Sequence, residues 1–397
     1  MNIKKLIPIL VVAPAIFLAL TPPWEITLDC TINSLFFLWV TFFSGFLAFA
    51  FLYQRVSVWL KLLVVWAFIV GFISRAPYMS FTMYWSVIAC AYYYALCKRV
   101  EDWTLIKKAA QSLFLFITLL IIMQLLGKDT LLNFNQKDAV VLGTMGNFMM
   151  LGTYVCILAP FVIVTALNWI PLILIAYISQ SSGTLAAVLA GFSLWVWIKH
   201  PKFKVIIPIG VAAVLGFGIA THDFDSNVIN AGRLPVWKRT VQITNRRPLG
   251  NGLGTFKILF PILSQDLESS KATTGTWKYE NTKGQGLAWR RTHNSWLQIL
   301  FEVGYPGFLF FMLWIGSIFR NVWNVRNTLK LVGLTIISVV AVFHFPDRLT
   351  QSVLLILMFL AYCEQKEQKE KNGNLRDSKS SIGVTGCKAN NFPDTID

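Results

Sequence analysis

The fold is decided by the stretch from Arg290 to Ile315, which reads RRTHNSWLQILFEVGYPGFLFFMLWI. Two arginines and a histidine stand near its start, and a mostly apolar run follows them. A run of about 20 predominantly apolar residues can cross the roughly 30 Å of hydrocarbon in a bilayer as an α-helix. We therefore predict a helix that enters a membrane at His293, preceded by a polar segment outside the membrane.

The composition of the whole chain agrees with this prediction. Of its 397 residues, 55% are hydrophobic and only 14% are charged, which is too apolar for an ordinary soluble domain. We expect an all-α, polytopic integral membrane protein with about twelve transmembrane helices. The predicted helices cover residues 6–20, 33–53, 57–74, 80–97, 104–126, 143–166, 169–181, 183–198, 204–220, 293–319, 329–345 and 348–363. The seventh and eighth could instead form one broken or re-entrant element, which would reduce the count to eleven.

The distribution of Lys and Arg gives the orientation of these helices, because short cytoplasmic loops carry an excess of both residues. With the N-terminus inside, the short inner segments hold thirteen such residues and the short outer segments hold four. The outer four are Arg75, Lys128, Lys137 and Arg348. This asymmetry predicts that both termini are cytoplasmic and that one large loop, residues 221–292, lies outside.

The domain organisation follows from the same map. We expect a single membrane domain at residues 1–363, with the large outer loop 221–292 inside it. The remaining residues, 364–397, open with a highly charged, poorly apolar run. Such a segment cannot bury enough surface to offset the entropy cost of ordering, so we predict a disordered cytoplasmic tail. The N-terminus has the charge and apolarity of a signal peptide but no convincing cleavage site, and we interpret it as a retained helix.

Several classes of protein are disfavoured by the sequence. The net charge of +16 is spread between apolar segments, so no compact basic domain for nucleic acid is expected. The six cysteines lack the spacing of a zinc site or a disulfide framework. We predict neither a metal site nor a cofactor.

The large outer loop is strongly basic. Eleven Lys and Arg residues oppose five Asp and Glu residues, which leaves a net charge of +6. Long loops are translocated largely regardless of charge, so topology does not require this excess. An anionic ligand would exploit the positive field, although a loop that only touches lipid headgroups of the bilayer is an open alternative.

The first informative part of the loop is residues 232–256, GRLPVWKRTVQITNRRPLGNGLGTF. Pro235 suits the first turn of a short helix and Pro248 would end it. Trp237 and Val241 would share one face, and we expect that face of an amphipathic helix to contact the membrane. The glycines that follow, at residues 250–254, allow a tight turn or a close approach to a ligand.

The second part is the start of the membrane helix. Arg290 and Arg291 could hold phosphate at the membrane surface, and His293 is a candidate general base. Asn294, Gln298 and Glu302 recur every fourth residue and form a polar stripe on the helix. The stripe could instead serve only to hydrogen-bond neighbouring helices.

Together these segments resemble the O-antigen ligase and polymerase family of bacterial inner-membrane proteins. The resemblance includes the family's His-Asn pair, here His293-Asn294, and its Glu-x-Gly-x-x-Gly helix, here Glu302 to Gly307. Residues 143–161, GTMGNFMMLGTYVCILAPF, resemble another family segment. The similarity covers most of the chain from residue 143 to about residue 348.

The resemblance implies periplasmic transfer of a glycan from an undecaprenyl diphosphate carrier to an acceptor hydroxyl. Ligases use the lipid A core as acceptor, polymerases use a growing carrier-linked glycan, and some relatives glycosylate proteins. His293 matches the family's base and Arg233 matches an arginine that contacts the diphosphate. The residues expected to bind substrate are Trp237, Arg239, Arg290, Arg291, Asn294 and Glu302. The arginine of the family's Ser-Arg-Gly segment is missing, because position 182 is serine; Arg290 or Arg291 could replace it.

Two further points concern the role of metal ions and an alternative class of protein. Arginines can stabilise a diphosphate leaving group without a metal ion, and the loop has few carboxylates to bind one, so we expect metal-independent transfer. A small-molecule transporter is the main alternative from another class, with His344, Asp347 and Arg348 on a substrate path. A transporter would show repeated halves, and the sequence shows none convincingly.

Overall fold

The computed structural model describes twelve parts of the chain: residues 7–9, 11–13, 56–126, 148–163, 165–179, 181–200, 202, 233–268, 279–280, 286–287, 292–343 and 350–365. Helices make up most of these parts, which confirms the predicted all-α class. The predicted helices at residues 33–53 and 204–220 and the predicted tail lie outside them, as does most of the predicted helix at residues 6–20.

Eleven helices and one pair of very short strands are used below. The helices are α1 (Val58–Ile73), α2 (Pro77–Cys97), α3 (Thr104–Leu125), α4 (Phe148–Val162), α5 (Trp169–Ile178), α6 (Ser182–Lys199), α7 (Arg233–Arg246), α8 (Phe256–Glu268), α9 (Ser295–Val325), α10 (Thr328–Phe343) and α11 (Thr350–Glu364). A short 3-10 helix, Ala166–Asn168, precedes α5, and β1 (Tyr279–Glu280) pairs antiparallel with β2 (Gly286–Leu287).

Nine predicted membrane helices coincide with helices of the structure, namely α1 to α6 and α9 to α11. Among the described residues, α3 and α9 are long and apolar enough to cross a membrane, and six shorter apolar helices accompany them. The all-α architecture is therefore compatible with a membrane protein, whereas the count of twelve spans stays a prediction.

The region between α5 and α6 is a break between two helices. The side chain of Ser181 accepts a hydrogen bond from the backbone N–H of Thr184 at 3.3 Å and so caps the start of α6. The 10 residues of α5 rise only about 15 Å, half the thickness of the hydrocarbon core. This length favours a broken element over two complete spans.

The main core is formed by residues of α1 to α6 and α9 to α11, and within it α10 packs closely against α6 and α4. Gly191 of α6 allows this close packing, since a Cβ at this position would lie 2.3 Å from a side-chain carbon of Ile336 on α10. Small residues let helix backbones approach in this way, and the gain is van der Waals contact along the pair.

The long helix α9 is broken in its first third. Gly304 has φ 67° and ψ −173°, a conformation essentially restricted to glycine, and Pro306 follows within the same helix. In a regular helix each carbonyl accepts a hydrogen bond from the N–H four residues later. The break separates the carbonyls before Gly304 from these donors, and Pro306 has no N–H. The carbonyls of Phe301, Glu302 and Val303 therefore need other partners.

Those partners come from distant parts of the chain. The backbone N–H and the side-chain amide of Asn251 donate to the first of these carbonyls at 3.1 and 3.0 Å. The N–H of Gly252 donates to the second at 3.0 Å, and the indole N–H of Trp66 on α1 donates to the third at 2.7 Å. The N–H of Tyr305 donates to the carbonyl of Pro248 at 2.8 Å. We call residues 248–252 the inserted loop.

We predict that Gly304→Ala destabilises the protein. A Cβ at residue 304 would lie 2.3 Å from the carbonyl oxygen of Pro248 and 2.4 Å from the nitrogen of Gly250, and the backbone conformation alone costs about 1–3 kcal/mol. Thermal unfolding in detergent should show a clear loss for Gly304→Ala. Gly316→Ala is the matched control on the same helix, because nothing lies within 4 Å of its Cβ position. Equal melting temperatures for the two variants would contradict the account of the break.

Candidate active site

The turn that precedes α9 is closed by its own side chains. Asn294 caps the helix, because its side-chain oxygen accepts a hydrogen bond from the N–H of Leu297 at 3.0 Å. The hydroxyl of Thr292 accepts from the N–H of Asn294 at 3.1 Å and donates to the carbonyl of Asn294 at 2.6 Å. These bonds fix the backbone on both sides of His293.

His293 itself adopts a left-handed backbone conformation, with φ 52°. This conformation is uncommon for residues other than glycine, and such outliers cluster at functional sites. The side chain of His293 is partly exposed, while its Nδ1 atom is buried. The imidazole is thus partly exposed and partly covered by the protein.

The helix α7 is bound to this turn. The indole N–H of Trp237 donates to the carbonyl of Thr292, the residue before His293, at 2.8 Å. Arg233 is the first residue of α7, one turn before Trp237 and about 6 Å from it along the helix axis. The structure therefore brings together the start of α7 and the turn that carries His293, the two elements that the sequence singled out.

A second contact binds the other end of α7 to α9. The hydroxyl of Tyr305 hydrogen-bonds to the side-chain oxygen of Asn245. Residue 237 of α7 thus lies beside residue 292, and residue 245 lies beside residue 305. Because the two pairs follow the chain in the same order, α7 runs parallel to the start of α9. Its direction is fixed from the His293 turn to the helix break.

The buried face of α7 differs from the face that the sequence singled out, whose contact with the membrane stays a prediction. Its most buried apolar residues are Val236 and Ile243 rather than Trp237 and Val241, which are only half-buried. The buried face packs on α8 and α9 in a cluster formed by Val236, Ile243, Phe256, Leu259, Phe260, Leu263 and Phe301. The sequence did not reveal this buried face because α8 was not predicted. The 3–4 spacing of apolar residues 256, 259, 260 and 263 is the signal that could have revealed this helix.

The polar stripe of α9 lies mostly inside the protein. The side-chain amide of Gln298 donates to the carboxylate of Glu302 at 3.1 Å, and Glu302 is only 1% exposed. Together with the capping role of Asn294, this favours the alternative in which the stripe stabilises helix packing. Substrate binding by Asn294 and Glu302 stays a prediction.

The other predicted site residues are described only in part. Arg239 is partly exposed on α7. Arg290 and Arg291 lie outside the described residues, and so do the side chains of Arg233 and Ser182. The alternative cluster at His344, Asp347 and Arg348 also lies outside them. Within the described parts of the chain, no group of three or more His, Cys, Asp or Glu residues could hold a metal ion.

Comparison with known families now identifies this region. Residues 166–312 match the family model described as O-Antigen ligase. This segment is similar to the O-antigen ligase family. The match runs from the short helix before α5 into α9 and includes α7, the inserted loop and His293. The resemblance inferred from the sequence is therefore confirmed. Members of this family are membrane-associated, glycosyltransferase-like ligases and polymerases. The comparison with curated proteins gives no match.

We predict that the cap at Asn294 stabilises the start of α9. Asn294→Ala removes the side-chain acceptor for the Leu297 N–H and should cost about 1 kcal/mol of stability. Asn294→Ser keeps an acceptor at the same position and is the matched control. Thermal unfolding of both variants in one detergent measures the difference, and an alanine variant as stable as the serine variant would rule out the capping role.

Proposed function

We propose that this protein is an inner-membrane glycosyltransferase that moves a glycan from an undecaprenyl diphosphate carrier to an acceptor hydroxyl on the periplasmic side. The observation that carries the proposal is the hydrogen bond from Trp237 to Thr292, which holds the start of α7 against the His293 turn. This contact supports a site that combines a candidate diphosphate-binding arginine, Arg233, with a candidate base, His293.

In this proposal His293 accepts the proton of the acceptor hydroxyl. The acceptor oxygen forms a bond to the anomeric carbon of the donor glycan, and the bond from that carbon to the carrier diphosphate breaks. Arg233 neutralises the negative charge that develops on the leaving diphosphate. A single displacement of this kind inverts the configuration of the anomeric carbon. Trp237, Arg239, Arg290, Arg291, Asn294 and Glu302 are the residues proposed to bind substrate.

The acceptor that we propose is the lipid A core, which makes the protein an O-antigen ligase of lipopolysaccharide biosynthesis. The alternative is an O-antigen or exopolysaccharide polymerase, in which the acceptor is another carrier-linked glycan. Protein glycosylation and small-molecule transport are more distant alternatives. We also propose that both termini lie in the cytoplasm, with about twelve transmembrane helices between the N-terminus and the tail.

The base is best tested with His293→Asn. Asparagine tolerates the left-handed conformation of residue 293 but cannot accept a proton near neutral pH, so transfer should fall at least about 100-fold. His200→Asn is the control, since His200 follows α6 and is not placed in the site. Activity is read as long glycan on a polysaccharide gel from a deletion strain that expresses each variant at equal level. Full transfer by a correctly inserted His293→Asn protein would remove this assignment.

The same gel distinguishes the two family activities. In the deletion strain, loss of all long glycan from the lipid A core, with carrier-linked polymer accumulating, is the result expected for a ligase. A core that bears a single repeat unit would identify a polymerase. Glycans that do not change would contradict both.

Metal independence is tested with the purified protein in proteoliposomes. Because arginines rather than a cation are proposed to neutralise the leaving diphosphate, the rate in excess EDTA should equal the rate with added Mg²⁺. A glycosyltransferase known to need a divalent cation, assayed in the same vesicles, checks that chelation is complete. A rate that falls with EDTA and recovers with Mg²⁺ would overturn this part of the proposal.

A further inference from the structure

Thr292 is a buried residue whose hydrogen bonds enclose His293. Its exposed fraction is 0%. The Thr292 hydroxyl donates to the carbonyl of Asn294 at 2.6 Å and accepts from the N–H of the same residue at 3.1 Å. Both bonds start on the residue before His293 and end on the residue after it. One hydroxyl therefore closes the backbone around the candidate base.

The enclosed residue has a backbone conformation that needs support. His293 has φ 52°, and in this left-handed region the Cβ of an L-residue lies close to the following carbonyl oxygen, which costs free energy. Such a conformation persists only where surrounding contacts hold it. Because φ and ψ set the direction in which a side chain leaves the backbone, the contacts that hold residue 293 also direct its imidazole.

The Thr292 hydroxyl attaches this conformation to the first turn of α9. The carbonyl of Asn294, which accepts from the hydroxyl, also accepts from the N–H of Gln298 at 3.0 Å. The side chain of Asn294 accepts from the N–H of Leu297 at 3.0 Å. Asn294 is thus held by the helix on two sides. Any bond from Thr292 to Asn294 therefore fixes the His293 backbone to α9.

The same residue connects the turn to α7. The carbonyl of Thr292 accepts the indole N–H of Trp237 at 2.8 Å, while the hydroxyl of Thr292 binds the start of α9. Two polar groups of one residue thus join two helices directly beside His293. The orientation of the candidate base relative to α7, which begins at Arg233, depends on this junction.

The surroundings of Thr292 argue against direct contact with a substrate. The residue has no exposed surface. A hydroxyl has a single hydrogen to donate, and that of Thr292 is already bonded to the carbonyl of Asn294. A residue in this position influences a reaction through the groups that it holds in place, and the nearest of these is His293.

We propose that Thr292 is a positioning residue for glycan transfer, whose hydroxyl holds His293 in the left-handed conformation that directs the imidazole to the acceptor hydroxyl. This inference rests on the proposed function, in which His293 is the base. A misplacement of about 1 Å can reduce a reaction rate about 100-fold, so a small rotation of the imidazole is sufficient to slow transfer. Serine can replace threonine in this role, whereas valine, which has the same shape but no hydroxyl, cannot.

The hydrogen bonds are tested first, without any transfer reaction. Hydrogen–deuterium exchange of the Asn294 N–H is measured on the full chain in lipid nanodiscs. Thr292→Val should speed this exchange about tenfold or more, because the N–H loses its acceptor, and Thr292→Ser should leave it near the wild-type rate. Thr244→Val is the matched control, since Thr244 is also buried and its hydroxyl donates to the carbonyl of Thr240 at 2.9 Å. Unchanged exchange in Thr292→Val would overturn the proposal.

Kinetics with donor and acceptor glycans provide the second arm. Thr292→Val should lower kcat about tenfold or more while both KM values stay unchanged, because positioning of the base matters only in the transition state. Thr292→Ser should restore most of kcat, and Thr244→Val should match the wild type. A raised KM with unchanged kcat would assign Thr292 to substrate binding and contradict the positioning role. If Thr292→Val does not fold, Thr292→Ala replaces it in both arms.

A double-mutant comparison shows whether Thr292 acts through His293. Added to His293→Asn, Thr292→Val should cause no further loss of the residual transfer, because no base remains to be positioned. A further loss as large as that in the wild-type background would indicate a general structural role and overturn the proposal. The two levels fail separately. Full transfer by His293→Asn removes the proposed base, whereas an inactive His293→Asn beside a fully active Thr292→Val removes only the positioning role.

Discussion

The hydrogen bonds that replace the helical ones at the break in α9 hold the candidate active site together. A buried carbonyl without a donor costs several kcal/mol in a medium without water, so a broken helix is tolerated there only where other groups satisfy it. The inserted loop and the indole of Trp66 supply those donors at 2.7 to 3.1 Å. Because the loop and α1 are far from α9 in sequence, three separate parts of the chain are joined at this one point.

The break also determines where the elements of the candidate site lie. The inserted loop follows α7 directly, so fixing the loop fixes the end of α7, and the contact between Asn245 and Tyr305 fixes its direction. The other end of α7 then reaches the His293 turn through Trp237. The His-Asn pair and the Glu-x-Gly-x-x-Gly motif thus lie at opposite ends of α7 and together fix its position. The first forms the turn that carries the candidate base, and the second accepts the loop that positions the opposing helix.

Local sequence patterns predicted the features that depend on neighbouring residues, namely where helices lie and where they end. Apolar length located nine helices, and Pro235 and Pro248 bracketed α7, whose bounds are Arg233–Arg246. The long-range contacts that assemble the site correspond to no local pattern in the sequence. Trp66 and Val303 are 237 residues apart in sequence, and nothing near either residue indicates the other. Because α8 was not predicted, the face of α7 that packs on it could not be identified from the sequence.

Some basic residues outside the candidate site have partners that explain them by folding alone. On the side assigned to the cytoplasm, Lys98 forms an ion pair with Glu364, and the ammonium of Lys330 lies 4.4 Å from the centre of the Tyr362 ring. Each of these cations has a stabilising partner within the helix packing. Folding therefore explains these two cations, and neither is a candidate for binding a substrate phosphate.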